Sequence, residues 1–140
     1  MPDDRRAIRL DQFIGHPPAK VWRALTDPGL VTRWLMPGDY RAEVGHRFTF
    51  TTTPRPDVGF DGVVPCEVLE VEPEKLVKLA WGRESWIVTW RLEPEGHGTR
   101  FFLDHEGFDP DDPAQQLSRR IMGGGWPRIV TLIGRIAGEL

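Results

Sequence analysis

The run Trp126-Pro127-Arg128-Ile129-Val130-Thr131-Leu132-Ile133-Gly134-Arg135-Ile136-Ala137-Gly138-Glu139-Leu140 sets its apolar side chains at 126, 129, 130, 133, 136, 137 and 140. This is the i, i+3, i+4, i+7 recurrence of a helix with one buried face. It is the strongest periodic signal in the chain, so a long amphipathic C-terminal helix is the element around which the rest must be arranged. Leu117, Ile121 and Met122 begin the same stripe upstream, and Asp109, Asp111 and Asp112 precede it; acidic residues suit a helix start because they oppose the positive end of its dipole. Gly123-Gly124-Gly125 stands between the two parts. Glycine costs roughly 1 kcal/mol relative to alanine in a helix interior, so the pattern predicts a bend or break there.

The face of that helix needs a cover, and the sequence before it supplies β-pattern from Tyr40 to Glu106. Phe48 and Phe50 alternate with threonines. Val64, Cys66 and Val68 alternate with Pro65 and Glu67, and Val77, Leu79 and Trp81 with Lys78 and Ala80. Trp86, Val88, Trp90 and Leu92 share one face of the next run; Phe101, Leu103 and His105 share one face of the last, beyond a turn at Pro94–Gly98. Period-two alternation with short turns implies an antiparallel meander with one apolar face. Farther out, Ala7–Ile14 reads as a first strand ending at Gly15. Pro17-Pro18 then starts a short helix with Val21, Trp22 and Leu25 on one side, stopped at Asp27-Pro28; proline is tolerated in a first turn, where its missing N–H would be unpaired anyway. Leu30, Val31 and Trp34 make a second short helix, ended by Pro37-Gly38. The fold class is therefore α+β: a curved antiparallel sheet of about six to seven strands wrapped around a long C-terminal helix, with two short helices between the first and second strands.

Composition bounds the function. The 140 residues, 39% hydrophobic and 28% charged, suit a single domain spanning 1–140 with a real core. Its 18 Lys+Arg against 21 Asp+Glu leave a net charge of −3, which gives no electrostatic reason to expect nucleic acid. Arg119, Arg120, Arg128 and Arg135 lie opposite the apolar stripe, as a solvated helix face requires. No apolar run approaches membrane-spanning length and no leader pattern follows Met1, so a cytoplasmic address is expected. The lone Cys66 rules out an intramolecular disulfide framework. His16, His46, His97 and His105 lack ligand spacing, and the aspartates at 109–112 lack the glycine and distal glutamate of an EF-hand loop. Neither a metal nor a cofactor is expected. The triple glycine is not part of a phosphate-binding motif.

An ordered set of motifs carries a family resemblance. Val21-Trp22-Arg23-Ala24-Leu25-Thr26-Asp27-Pro28, Trp34, Gly45 before a strand, Glu67 to Leu76 and Trp81 come first. Val88-Thr89-Trp90-Arg91-Leu92-Glu93-Pro94, Gly98-Thr99-Arg100, His105-Glu106-Gly107-Phe108 and Gly125-Trp126 follow. Together they resemble the SRPBCC superfamily, in its branch of heat-shock-protein-ninety ATPase activator homologues, from about Ile8 to the end. The resemblance implies the helix-grip fold, related to START lipid-transfer domains and the birch pollen allergen, with a cavity for an apolar ligand between sheet and helix. The sequence departs from that pattern in two places: Cys66 stands where relatives usually place glycine, and Gly123-Gly124 with Pro127 surround the Gly-Trp pair. Eukaryotic activators have a separate N-terminal domain that does much of the chaperone stimulation, for which this chain has no room, so that activity is not carried over.

The expected cavity is lined from the sheet by Phe48, Phe50, Cys66, Val68, Trp81, Trp86, Val88, Trp90, Phe101, Leu103 and His105. Trp34, Trp126, Ile129, Val130 and Ile133 would line it from the helices. His105 is the polar residue of most interest: on the face of Phe101 and Leu103, its imidazole would enter the cavity and orient a ligand oxygen, with Trp34 assisting. The bland alternative is a structural histidine at a strand end. Cys66, among apolar neighbours, reads as a buried, inert thiol. Because no paired carboxylate or metal cluster accompanies His105, the residues favour binding over catalysis. The expectation is a carrier, sensor or sequestering protein for a small apolar or aromatic molecule, monomeric or homodimeric. The alternatives are a polyketide cyclase or aromatase-like enzyme using His105 as acid or base, and a chaperone-associated interaction protein.

Overall fold

The computed structural model describes residues 5–140. Ala7–Ile14 forms β1; Pro18–Thr26 and Pro28–Trp34 form α1 and α2. The strands β2 (Arg47–Thr51), β3 (Val63–Glu72), β4 (Leu76–Trp81), β5 (Trp86–Glu95) and β6 (Gly98–Glu106) follow, and Pro113–Ala137 forms α3. The six strands make one antiparallel sheet in the order β1-β6-β5-β4-β3-β2. This is the helix-grip arrangement, with the strand number at the lower end of the expected range. The pattern between Tyr40 and Glu106 is not continuous β: Thr52–Gly62 is an excursion with a 3-10 turn at Pro56–Val58. Pro54 and Pro56 have no N–H to give a ladder.

Local chemistry sets the element ends. Asp27 starts α2, its carboxylate accepting from the Gly29 and Leu30 N–H groups at 2.9 and 3.3 Å. Asp112 caps α3, accepting from Ala114 N–H at 2.9 Å, so the acidic cluster does mark the helix start. The expected break at Gly123–Gly125 is not found, because α3 runs on through the glycines and past Pro127. Packing of its apolar face outweighs the weak helix preference of glycine. At the β5–β6 hairpin, Glu95 pairs directly with Gly98, leaving a two-residue turn tighter than the expected Pro94–Gly98 loop. A side chain at Gly98 would sit 2.5 Å from the Ile14 carbonyl oxygen of neighbouring β1, so only glycine fits.

The inner face of the sheet holds the alternating residues expected of it: Phe48, Phe50, Val64, Cys66, Val68, Val77, Leu79, Val88, Trp90, Phe101 and Leu103 are buried. Val130, Ile133, Ile136 and Ala137 of α3 complete this core. The short helices close one end. Trp34 meets Trp90 edge-on with ring centroids 5.1 Å apart, and Tyr40 contacts both Phe48 and Trp90. The polar atoms of these rings also bind the helices: Trp34 Nε1–H donates to the Ala24 carbonyl at 2.8 Å and the Tyr40 hydroxyl to the Leu25 carbonyl at 2.9 Å. These bonds satisfy carbonyls at the end of α1 that the helix itself leaves unpaired.

Candidate functional site

The other end of the inner face is open. A cavity of about 440 Å³ lies between the first half of α3, the start of β3, the end of β4, the start of β5 and the excursion at 52–62. That volume falls in the range of small-molecule sites. Its back wall is Trp81, Trp86 and Trp126, with Ile121, Met122 and Ile129 along one stripe of α3. The front is Phe60 and Val58 of the excursion, with Met36 from the segment just after α2. The space exists because of what faces the tryptophans. Gly125 presents no side chain, and a Cβ built there meets nothing within 4 Å.

Of the residues expected to line a cavity, Trp81, Trp86, Trp126 and Ile129 do so. Trp34, Phe48, Phe50, Cys66, Val68, Val88, Trp90, Phe101, Leu103, Val130 and Ile133 instead make up packed core. They do face inward, but the space in front of them is filled by one another and by α1, α2 and the second half of α3. Leu35, Met36, Phe60, Ile121, Met122 and Gly125, together with Arg55, Arg83 and Glu84 at the mouth, line the cavity and are additions to the set read from sequence. Ile121 and Met122 lie on the stripe the sequence marks, and Gly125 lies in the gap between its two parts. The loop residues carry no periodicity that could have announced them.

His105 lies one layer behind the cavity and does not line it. It is fully buried, with Trp81, Trp86, Phe108 and Trp126 rings 4.8 to 6.0 Å away, centre to centre. Its Nδ1 accepts from Trp126 Nε1–H at 3.1 Å, so the neutral ring carries its proton on Nε2, which has no partner. Burial pulls its pKa down to about 3. An imidazole that stays neutral and sits behind tryptophans serves to fix the Trp126 indole. Trp86 is fixed in turn by its Nε1–H, which donates to Gln115 Oε1 at 3.3 Å. Burial likewise pushes the Cys66 thiol up to about 12, which keeps it protonated and inert.

The mouth is polar. Arg83 grips Asp61 with both arms, at 2.9 and 3.2 Å, and donates to the Val63 carbonyl at 3.3 Å, strapping the excursion to the β4–β5 turn. These bonds hold the Asp61 carboxyl below the usual carboxylate range. Arg55 pairs with Asp57 at 2.9 Å. Among the described residues, no group of three His, Cys, Asp or Glu could hold a metal ion, and no helix is long and apolar enough to cross a membrane.

Comparison with known proteins agrees with this architecture. Protein MLL2253 from Mesorhizobium loti is 34% identical over 96% of this chain and 98% of its own, with a TM-score of 0.81. DynU16, described as a putative protein in the dynemicin biosynthetic locus, is 26% identical with a TM-score of 0.74; the match covers 96% of this chain but only 47% of that one. The Aha1 dimer from Colwellia psychrerythraea shares the fold, with a TM-score of 0.76 at 16% identity over 91% of this chain and 92% of that one. No functionally curated protein matches. The family model described as Activator of Hsp90 ATPase homolog 1-like protein matches residues 15–138, and the chain belongs to that family.

Proposed function

We propose that the protein binds a small apolar or aromatic molecule in the cavity in front of Trp81, Trp86 and Trp126, acting as a carrier, sensor or sequestering protein in the cytoplasm. The observation that carries this reading is a preformed space of about 440 Å³ backed by three tryptophans, two of them fixed by hydrogen bonds from their indole N–H groups. A rigid aromatic wall binds without first being ordered, which removes one of the main costs of association. Burial at about 25 cal/mol per Å² then gives a modest ligand several kcal/mol before the remaining costs are subtracted. The similarity to DynU16, whose description places it in a biosynthetic locus, supports a ligand-binding role.

A cyclase-like reaction depending on His105 is the weaker reading, since the imidazole is separated from the cavity by the rings that line it. The test is native mass spectrometry of the purified protein, followed by solvent release of anything bound, and titration with the neutral dye N-phenyl-1-naphthylamine. Stoichiometric uptake by the wild type, weakened at least tenfold in Gly125→Leu, is the expected result. Equal binding by both proteins would place the site elsewhere.

A further inference from the structure

We propose that the molecule this cavity selects is an aromatic or apolar amine, its ammonium group held at the mouth beside Glu84. The inference rests on the cavity reading above and adds the charge of the ligand.

It follows from the charges around the opening. Both arginines there are already matched: Arg83 by Asp61 in a two-armed pair and Arg55 by Asp57. Glu84, on the same β4–β5 turn and lining the same opening, has no ion-pair partner among the described residues. Among the described residues the mouth thus has no spare positive charge for a carboxylate or phosphate, and one unmatched negative charge. The wall behind it strengthens the same preference, because indole attracts cations more strongly than other side-chain rings. Met36 and Met122, on either side, contribute polarizable surface and no charge. A neutral ligand would satisfy the wall and leave Glu84 unmatched. An anion would meet Glu84 directly and would have to displace Asp61 or Asp57 to reach an arginine.

The experiment uses three probes of nearly one shape, 2-naphthylmethylamine, 2-naphthylmethanol and 2-naphthoate, titrated calorimetrically into the full chain at neutral pH and low salt. The amine is expected to bind about tenfold more tightly than the alcohol, the sum of one exposed ion pair and one cation–ring contact, and the naphthoate most weakly. In Glu84→Gln the gap between amine and alcohol should narrow to about threefold, the part left by the cation–ring contact, and in Glu84→Lys the naphthoate should become the tightest of the three. Adding 0.5 M NaCl should narrow the wild-type gap, because the contact is exposed. An amine no tighter than the alcohol, or a preference undiminished in Glu84→Gln, overturns the charge assignment while leaving the cavity reading in place. If none of the three binds at millimolar concentration, the cavity reading fails as well.

Discussion

The two ends of the sheet's inner face use the same residue type to opposite effect. At the α1–α2 end, Trp34 and Trp90 pack edge to face and Tyr40 leans on both Phe48 and Trp90, with no room left. At the other end, Trp81, Trp86 and Trp126 stand as a wall before a cavity. What separates them is the opposing element. The first set is answered by bulky side chains on short helices whose carbonyls accept from Trp34 and Tyr40. The second is answered by a glycine on α3 and by an irregular loop. Tryptophan therefore fills or lines according to what the facing segment supplies.

The comparison can be broken most forcefully from the packed side. Trp90→Ala should cost about 3–5 kcal/mol of stability, the range for emptying a large ring from a closed core. Phe60→Ala at the cavity front should cost under about 1 kcal/mol, because its ring is only partly buried and water already reaches its surroundings. Denaturant unfolding with unchanged m-values checks both, and comparable losses would mean that the two ends are equally packed.

The second test concerns the layer behind the wall. An unfolded chain takes up a proton at His105 near pH 6.5, whereas the folded protein does so only near 3. Between those values the unfolded state holds more protons, so this contribution is complete above pH 6.5 and is lost as the pH falls toward 3. The slope should approach about 1.4 kcal/mol per pH unit well inside that window. His105→Gln keeps an acceptor for Trp126 and removes the titration. The stability difference between wild type and variant should therefore shrink from pH 7 to pH 4.5, where a constant difference would contradict a buried neutral imidazole.

The smallest effect sharpens the open side. Gly125→Ala adds a methyl group where nothing lies within 4 Å and should raise stability by about 0.5–1 kcal/mol through helix propensity alone, measured as an upward shift in the denaturant midpoint. A loss of stability would show that the space is already occupied.

The fold was largely legible because both of its main elements carry periodic apolar patterns. The stripe from Trp126 to Leu140 and the alternation through Trp86–Leu92 and Phe101–His105 each say which face turns inward. The site was less so. Alternation tells that Val88, Trp90, Phe101 and Leu103 face the interior, but it cannot tell which inward residue has another packed in front of it. That depends on Trp34, Tyr40 and the second half of α3, all distant in sequence. Phe60, Arg55 and Met36 belong to segments whose path is set by prolines and by the Arg83–Asp61 strap, which no local pattern encodes. Intrinsic propensity alone points to a bend at 123–125, whereas tertiary packing keeps α3 continuous there. In the fold, Gly125 serves as an absent side chain.

The central claim, an aromatic cavity at one end of the sheet and a closed core at the other, is tested most directly by following the six tryptophan indole N–H resonances of 15N-labelled protein during titration with N-phenyl-1-naphthylamine. Saturable shifts at Trp81, Trp86 and Trp126, with Trp34 and Trp90 unmoved, are the expected result. Shifts at Trp34 or Trp90, or at no tryptophan, would contradict it.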